Sequence, residues 1–235
     1  MAVVSDAKRP TPIIALDVPS TENALSLVAE LGEACRFYKI GNELFTSAGP
    51  EVVRRVRDRG ADVFLDLKLH DIPNTVAGGV RSARAMGARL VTVHATGGVA
   101  MLRAAVDAAG ADCGVLAVTV LTSLTADEIA TSWGRTSLDV GDEVLRLAEL
   151  AAEAGAHGVV CSGREARGVR DRFGDRLAVL VPGVRAAGGA AQDQARVVTP
   201  SEAAAAGATY VVIGRMVTAA SDRQAAMSAV RAELA

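Results

Sequence analysis

The chain has 235 residues, half of them apolar, 22% charged and only 3% aromatic, with a net charge of −2. That suffices for one large domain or two small ones with a core of Ala, Val, Leu and Ile, and it leaves no basic field for nucleic acid. Cys35, Cys113 and Cys161, without a CxxC, fit a reducing cytoplasmic setting rather than a disulfide framework, and no apolar stretch of about 18 residues is present to span a membrane.

In chain order, residues 1–12 lack the apolar centre of a signal peptide and read as a loose leader, with 13–235 as one folded unit. Short apolar runs follow at 13–17, 37–40, 63–67, 90–94, 115–119, 158–161, 177–181 and 210–213. Most are continuously apolar, as expected of parallel strands covered on both faces. Helical spacing covers, among others, 21–31, 50–59, 98–109, 139–154 and 221–234. Arg54, Arg55, Arg57 and Arg59 share one of these helices with Glu51 and Asp58, which makes them a solvated face. Gly-Ala recurs at Gly60, Gly87, Gly110, Gly155 and Gly207, each time after a helical pattern and before a strand, and Gly32 and Gly174 mark similar junctions. Glycine suits the residue just past a helix end, so the dipeptide marks a repeated helix-stop, strand-start unit. Eight such units predict a (β/α)₈ barrel in a single domain. A doubly wound open sheet is the alternative, but no GxGxxG follows the first run.

Barrels of this class carry their active sites at the C-terminal ends of the strands. Polar residues collect there: Asp17, Lys39, the pair Asp66 and Lys68, His94, Thr119, Thr122, Ser123, Arg185, and Gly214-Arg215. The third strand is the most informative. Asp66 and Lys68 lie two apart, which places both on one face of a regular strand, and Asp71 follows just before Pro73. Of 25 basic residues, 22 are Arg; only Lys8, Lys39 and Lys68 are Lys. A chain so tilted toward Arg keeps lysine where a compact ammonium that can give up its proton matters. Lys68 flanked by carboxylates is a candidate proton donor; an ion-pair network capping the barrel is the plainer alternative.

Gly214-Arg215 before a helix offers backbone N–H groups and a guanidinium for a phosphate, or else a surface Arg. The Gly- and Ala-rich segment 183–196, with Arg185, Gln192 and Gln194, could close over a ligand or serve as a plain connector. His94 reads as a hydrogen-bonded residue at a strand end, and Trp133 as packed within the irregular segment after the fifth strand. No metal-ligand cluster stands out.

From about Ile13 to Ala220 the chain resembles the orotidine 5′-phosphate decarboxylase family. The matching pieces are Ala15-Leu-Asp17, Tyr38-Lys39-Ile-Gly41, Asp66-Leu-Lys68-Leu-His-Asp71-Ile-Pro-Asn-Thr75, Leu121-Thr122-Ser123, Pro182-Gly-Val-Arg185, Asp193-Gln194 and Ile213-Gly214-Arg215. The resemblance implies that Lys68 protonates C6 of the pyrimidine as CO₂ leaves, that Asp66 sits against the substrate carboxylate, and that Lys39 joins the alternating charges. It implies ribose contacts from Asp17 and Lys39 and a pyrimidine-side contact from Thr122. Arg185, Gln194, Gly214 and Arg215 would hold the phosphate and close the lid. It implies a homodimer in which Asp71 and Thr75 reach the partner's site, and no metal or organic cofactor. Met216 stands where the family usually has Pro, and Ala191-Gln-Asp193 where a Gly is common. Two rival readings share the barrel: a Mg²⁺-dependent sugar-phosphate synthase or decarboxylase, which needs a Glu near the end of the second strand, and a non-catalytic phosphate-binding barrel.

Overall fold

The Gly-Ala dipeptides at Gly60, Gly87, Gly110, Gly155 and Gly207 each end a helix in the computed structural model, which describes residues 9–186 and 196–235. Gly110 shows why: its φ of +61° is strained for any side chain, and there its N–H closes the helix on the Val106 carbonyl at 3.2 Å. Gly60, Gly87, Gly155 and Gly207 take the same sign of φ.

The strands are β1 (Thr11–Ala15), β2 (Phe37–Gly41), β3 (Asp62–Leu69), β4 (Leu90–His94), β5 (Gly114–Val118), β6 (Gly158–Val160), β7 (Ala178–Val184) and β8 (Tyr210–Ile213). All neighbours pair in parallel, and β8 pairs back onto β1 to close the barrel. The helices between them are α1 (Thr21–Leu31), α2 (Asn42–Ala48), α3 (Glu51–Arg57), α4 (Pro73–Ala85), α5 (Gly98–Ala109), α6 (Ala126–Ser132), α7 (Val140–Glu153), α8 (Gly163–Phe173), α9 (Pro200–Ala205), α10 (Arg215–Thr218) and α11 (Arg223–Glu233).

The core has two layers because strand side chains alternate. Inside the barrel, Ile13, Ala15, Phe37, Phe64, Leu90, Leu116, Val118, Val160, Leu180 and Val212 pack together. The outward positions (Ile14, Tyr38, Val63, Val91 and Ala117 among them) pack beneath the helices. Three expectations shift. The first strand begins at Thr11, inside the segment read as leader, and stops at Ala15 before Asp17. The helix expected right after Gly214 is only the short α10; Asp222 accepts the Ala225 N–H at 2.9 Å and starts α11 afresh. Trp133 is 38% exposed at the end of α6 rather than packed away.

Candidate active site

The barrel interior changes from apolar to charged as β1, β2 and β3 reach their C-terminal ends. β2 and β3 pair with Lys39 beside Phe64 and Gly41 beside Asp66, which sets Lys39 next to the rising carboxylate. Charges then alternate along a chain: Lys39 Nζ lies 2.8 Å from Asp17 Oδ1 and 3.9 Å from Asp66 Oδ2, while Lys68 Nζ donates to both Asp66 oxygens at 2.9 and 3.0 Å. Only 11% of the Lys39 and 14% of the Asp66 side chain is exposed, so these charges are mostly withdrawn from water. Desolvation offsets much of the Coulomb gain of such pairs, and their stability value is correspondingly poor. Gly41 leaves room beside them: a Cβ there would sit 3.0 Å from Lys39 Nζ and 3.4 Å from Asp17 Oδ1, close enough to press on the ammonium.

Lys68 does not reach the site by regular alternation. Its φ of +51° is the one positive value for a non-glycine among the described residues. Leu65 pairs with Val91 and Leu69 with Val93, so Asp66, Leu67 and Lys68 stand opposite Thr92 alone. The strand bulges there, and a bulge re-aims side chains. Strain of this kind costs of order 1–3 kcal/mol and persists only where the surroundings enforce it. Composition and periodicity could not show it, since the run reads as an ordinary strand.

Asp17, Lys39, Asp66, Lys68, Thr122, Arg185, Gly214 and Arg215 all line one cavity of about 560 Å³, floored by Ala15, Phe64, Val118 and Val212. Arg185 also donates from Nη1 to the Val184 carbonyl at 3.0 Å. Asp71, on the exposed turn after β3, and Thr75, exposed in the first turn of α4, do not line this cavity; Ile72 between them is 67% exposed and its N–H binds Asp71 Oδ1 at 2.6 Å. Gln194 and Gln192 lie outside the described residues. His94 is half-buried with its ring 5.3 Å from that of His70; burial, then His70 and Lys68, lower its pKa. Arg196 carried no expected role, yet it is buried, its Nη1 3.0 Å from Glu165 Oε2 and its Nη2 donating to the Leu121 carbonyl at 3.2 Å. It ties the end of the segment after β7 to the loop bearing Thr122. Among the described residues no three His, Cys, Asp or Glu side chains gather to hold a metal.

A family model described as "Orotidine 5'-phosphate decarboxylase / HUMPS family" matches residues 10–230. The chain belongs to that family. Relatives named orotidine 5'-phosphate decarboxylase include one from Nitrosococcus oceani, 48% identical over 94% of this chain and 96% of its own length. Another, from Halorhodospira halophila, is 47% identical over 96% of each chain. A solved orotidine 5'-phosphate decarboxylase from Lactobacillus acidophilus superposes with a TM-score of 0.85 at 37% identity, covering 96% of this chain and 99% of that one.

Proposed function

We propose that this protein is a carboxy-lyase that converts orotidine 5′-phosphate to UMP and CO₂, the last step of de novo pyrimidine nucleotide synthesis. The observation that carries the reading is the Asp17–Lys39–Asp66–Lys68 charge chain at one end of the cavity that also holds Arg185 and Arg215.

Loss of CO₂ from C6 leaves an electron pair in the plane of the ring, where no π-system takes it up. Stabilisation must therefore be electrostatic. An ammonium about 4 Å away contributes on the order of 4 kcal/mol at an effective dielectric of 20. In the proposed pose Asp66 faces the substrate carboxylate and Lys68 faces C6, then gives C6 its proton. Repulsion falls and attraction grows as the C–C bond breaks, so the transition state is favoured over the substrate. Arg185, Gly214, Arg215 and Gln194 take the phosphate, Asp17 and Lys39 the ribose hydroxyls, and Thr122 the pyrimidine side. The two carboxylates of the chain already face ammonium groups, which does not suit a divalent cation, and no cofactor enters the scheme. The Mg²⁺-dependent rival needs a Glu near the end of β2, a strand that here carries Lys39; Glu43 lies further on, exposed in α2, and does not line the cavity.

The working unit proposed is a cytoplasmic homodimer in which the exposed turn with Asp71 and Ile72, and the start of α4 with Thr75, enter the partner's site. Lys68→Ala and Asp71→Ala variants test this when mixed: hybrid dimers hold one intact site and regain activity that neither parent shows, whereas a site complete within one chain gives no gain. The function itself is tested by following loss of orotidine 5′-phosphate absorbance with and without EDTA. Turnover indifferent to chelator is the expected result; absent turnover sinks the assignment, and EDTA-sensitive turnover sinks the cofactor-free mechanism.

A further inference from the structure

We infer that Thr92 is a positioning residue that locks Lys68 and Asp66 into their reacting arrangement through one hydroxyl; this deepens the decarboxylase reading and rests on it. Thr92 sits on β4, fully buried, and does not itself line the cavity. Its Oγ1 donates to Asp66 Oδ1 at 2.9 Å and accepts the Lys68 backbone N–H at 2.9 Å. The hydroxyl has one proton and spare lone pairs, so it can do both at once. It is also the one residue of β4 opposite the three-residue bulge that contains both partners.

The two bonds act on different features. In a regular parallel ladder the Lys68 N–H would find a carbonyl on β4; here the bulge removes that partner and the Thr92 hydroxyl replaces it. The left-handed backbone at Lys68 is thereby kept without leaving a buried N–H unpaired. The bond to Oδ1 fixes the Asp66 carboxylate with both oxygens within 3.0 Å of Lys68 Nζ and Oδ2 facing Lys39 Nζ. One side chain thus couples the backbone of the proposed proton donor to the carboxylate that orients it. A valine of nearly the same shape could make neither bond.

The test compares Thr92→Val with Thr92→Ser. Thr92→Val should lower kcat roughly 10- to 100-fold, the size expected when a buried hydrogen-bond partner is removed and its mates are left unpaired. KM should stay within about threefold, because no substrate contact is lost, and Thr92→Ser should keep kcat within about threefold of the parent. A crystal structure of Thr92→Val should show Lys68 φ returned to negative values or its Nζ drawn away from Asp66. Unchanged kcat in Thr92→Val overturns the inference, as does an equal loss in Thr92→Ser. Should Thr92→Val not fold, Thr92→Ala against Thr92→Ser isolates the hydroxyl, the expected loss falling on Ala alone. The Lys68 φ is read independently of turnover, so an inactive parent protein would sink the decarboxylase reading while the crystal structure still judged the clamp.

Discussion

The two ends of this barrel are both charged, but by different means. At the N-terminal end, arginines face water-exposed partners: Arg36 binds Glu33, and Arg170 meets Asp175 at 2.5 Å, the two acids being 83% and 94% exposed. At the C-terminal end, lysines meet a carboxylate that is only 14% exposed, and the backbone is strained to bring it about. Water weakens the first kind of pair and salt screens it. The second kind is expensive to assemble, because each charge surrenders hydration that its neighbour only partly replaces. A fold that needed only a stable barrel would fill the upper end as it fills the lower interior, with side chains such as Phe64 and Leu116.

Substitutions at the two ends should therefore differ sharply. Lys68→Ala should cost roughly a thousandfold or more in kcat, the rate equivalent of losing about 4 kcal/mol of charge stabilisation. Substrate binding should be partly retained, which single-turnover and equilibrium binding measurements can separate; near-normal kcat would remove Lys68 from its role. Arg215→Ala comes next: loss of charge-assisted hydrogen bonds to the phosphate should raise KM roughly 10- to 100-fold. An unchanged KM would mean that the phosphate binds elsewhere.

Smaller still is the effect of pH on stability, to which both ends contribute one histidine. Burial lowers the pKa of His94 near the upper end and of His157 near the lower, with Lys68 and His70 adding to the first and Arg89 to the second. A His whose folded pKa is depressed binds its proton more readily when unfolded. Its contribution is complete above the ordinary value near 6.5 and is lost as pH falls through that value toward the folded one. The melting temperature should decline on acidification below about pH 6.5, and His157→Gln should flatten the decline without touching kcat. A melting profile in the double variant His94→Gln/His157→Gln identical to the parent's would discard this account. Smallest of all, Glu33→Ala at the lower end should leave kcat and melting temperature within error, since an exposed pair adds little. A clear loss there would erase the contrast between the two ends.

Much of this architecture was legible in the residues. The Gly-Ala junctions mark helix ends because only glycine takes the left-handed backbone there without strain, and that requirement is local. The apolar runs mark strands because a strand covered on both faces must be apolar throughout, which is also local. Asp66, Lys68 and Lys39 stood out as charges in such runs. Thr92 did not, since a threonine in a β-rich run is unremarkable until its hydroxyl is seen between two strands. Arg196 was hidden in the same way, inside a segment whose composition suggests a closing loop or a connector but no buried ion pair.

The order of strands, their burial and the residues that collect at one end follow from the sequence by itself, because each depends on the chemistry of neighbouring residues. Closure of β8 onto β1, the bulge that turns Lys68 back onto Asp66, and the joining of Asp17, Lys39, Thr122, Arg185 and Arg215 around one cavity were decided only in three dimensions. Those features depend on pairing between segments far apart in the chain, and a strand's register is set by the partner it meets rather than by its own residues.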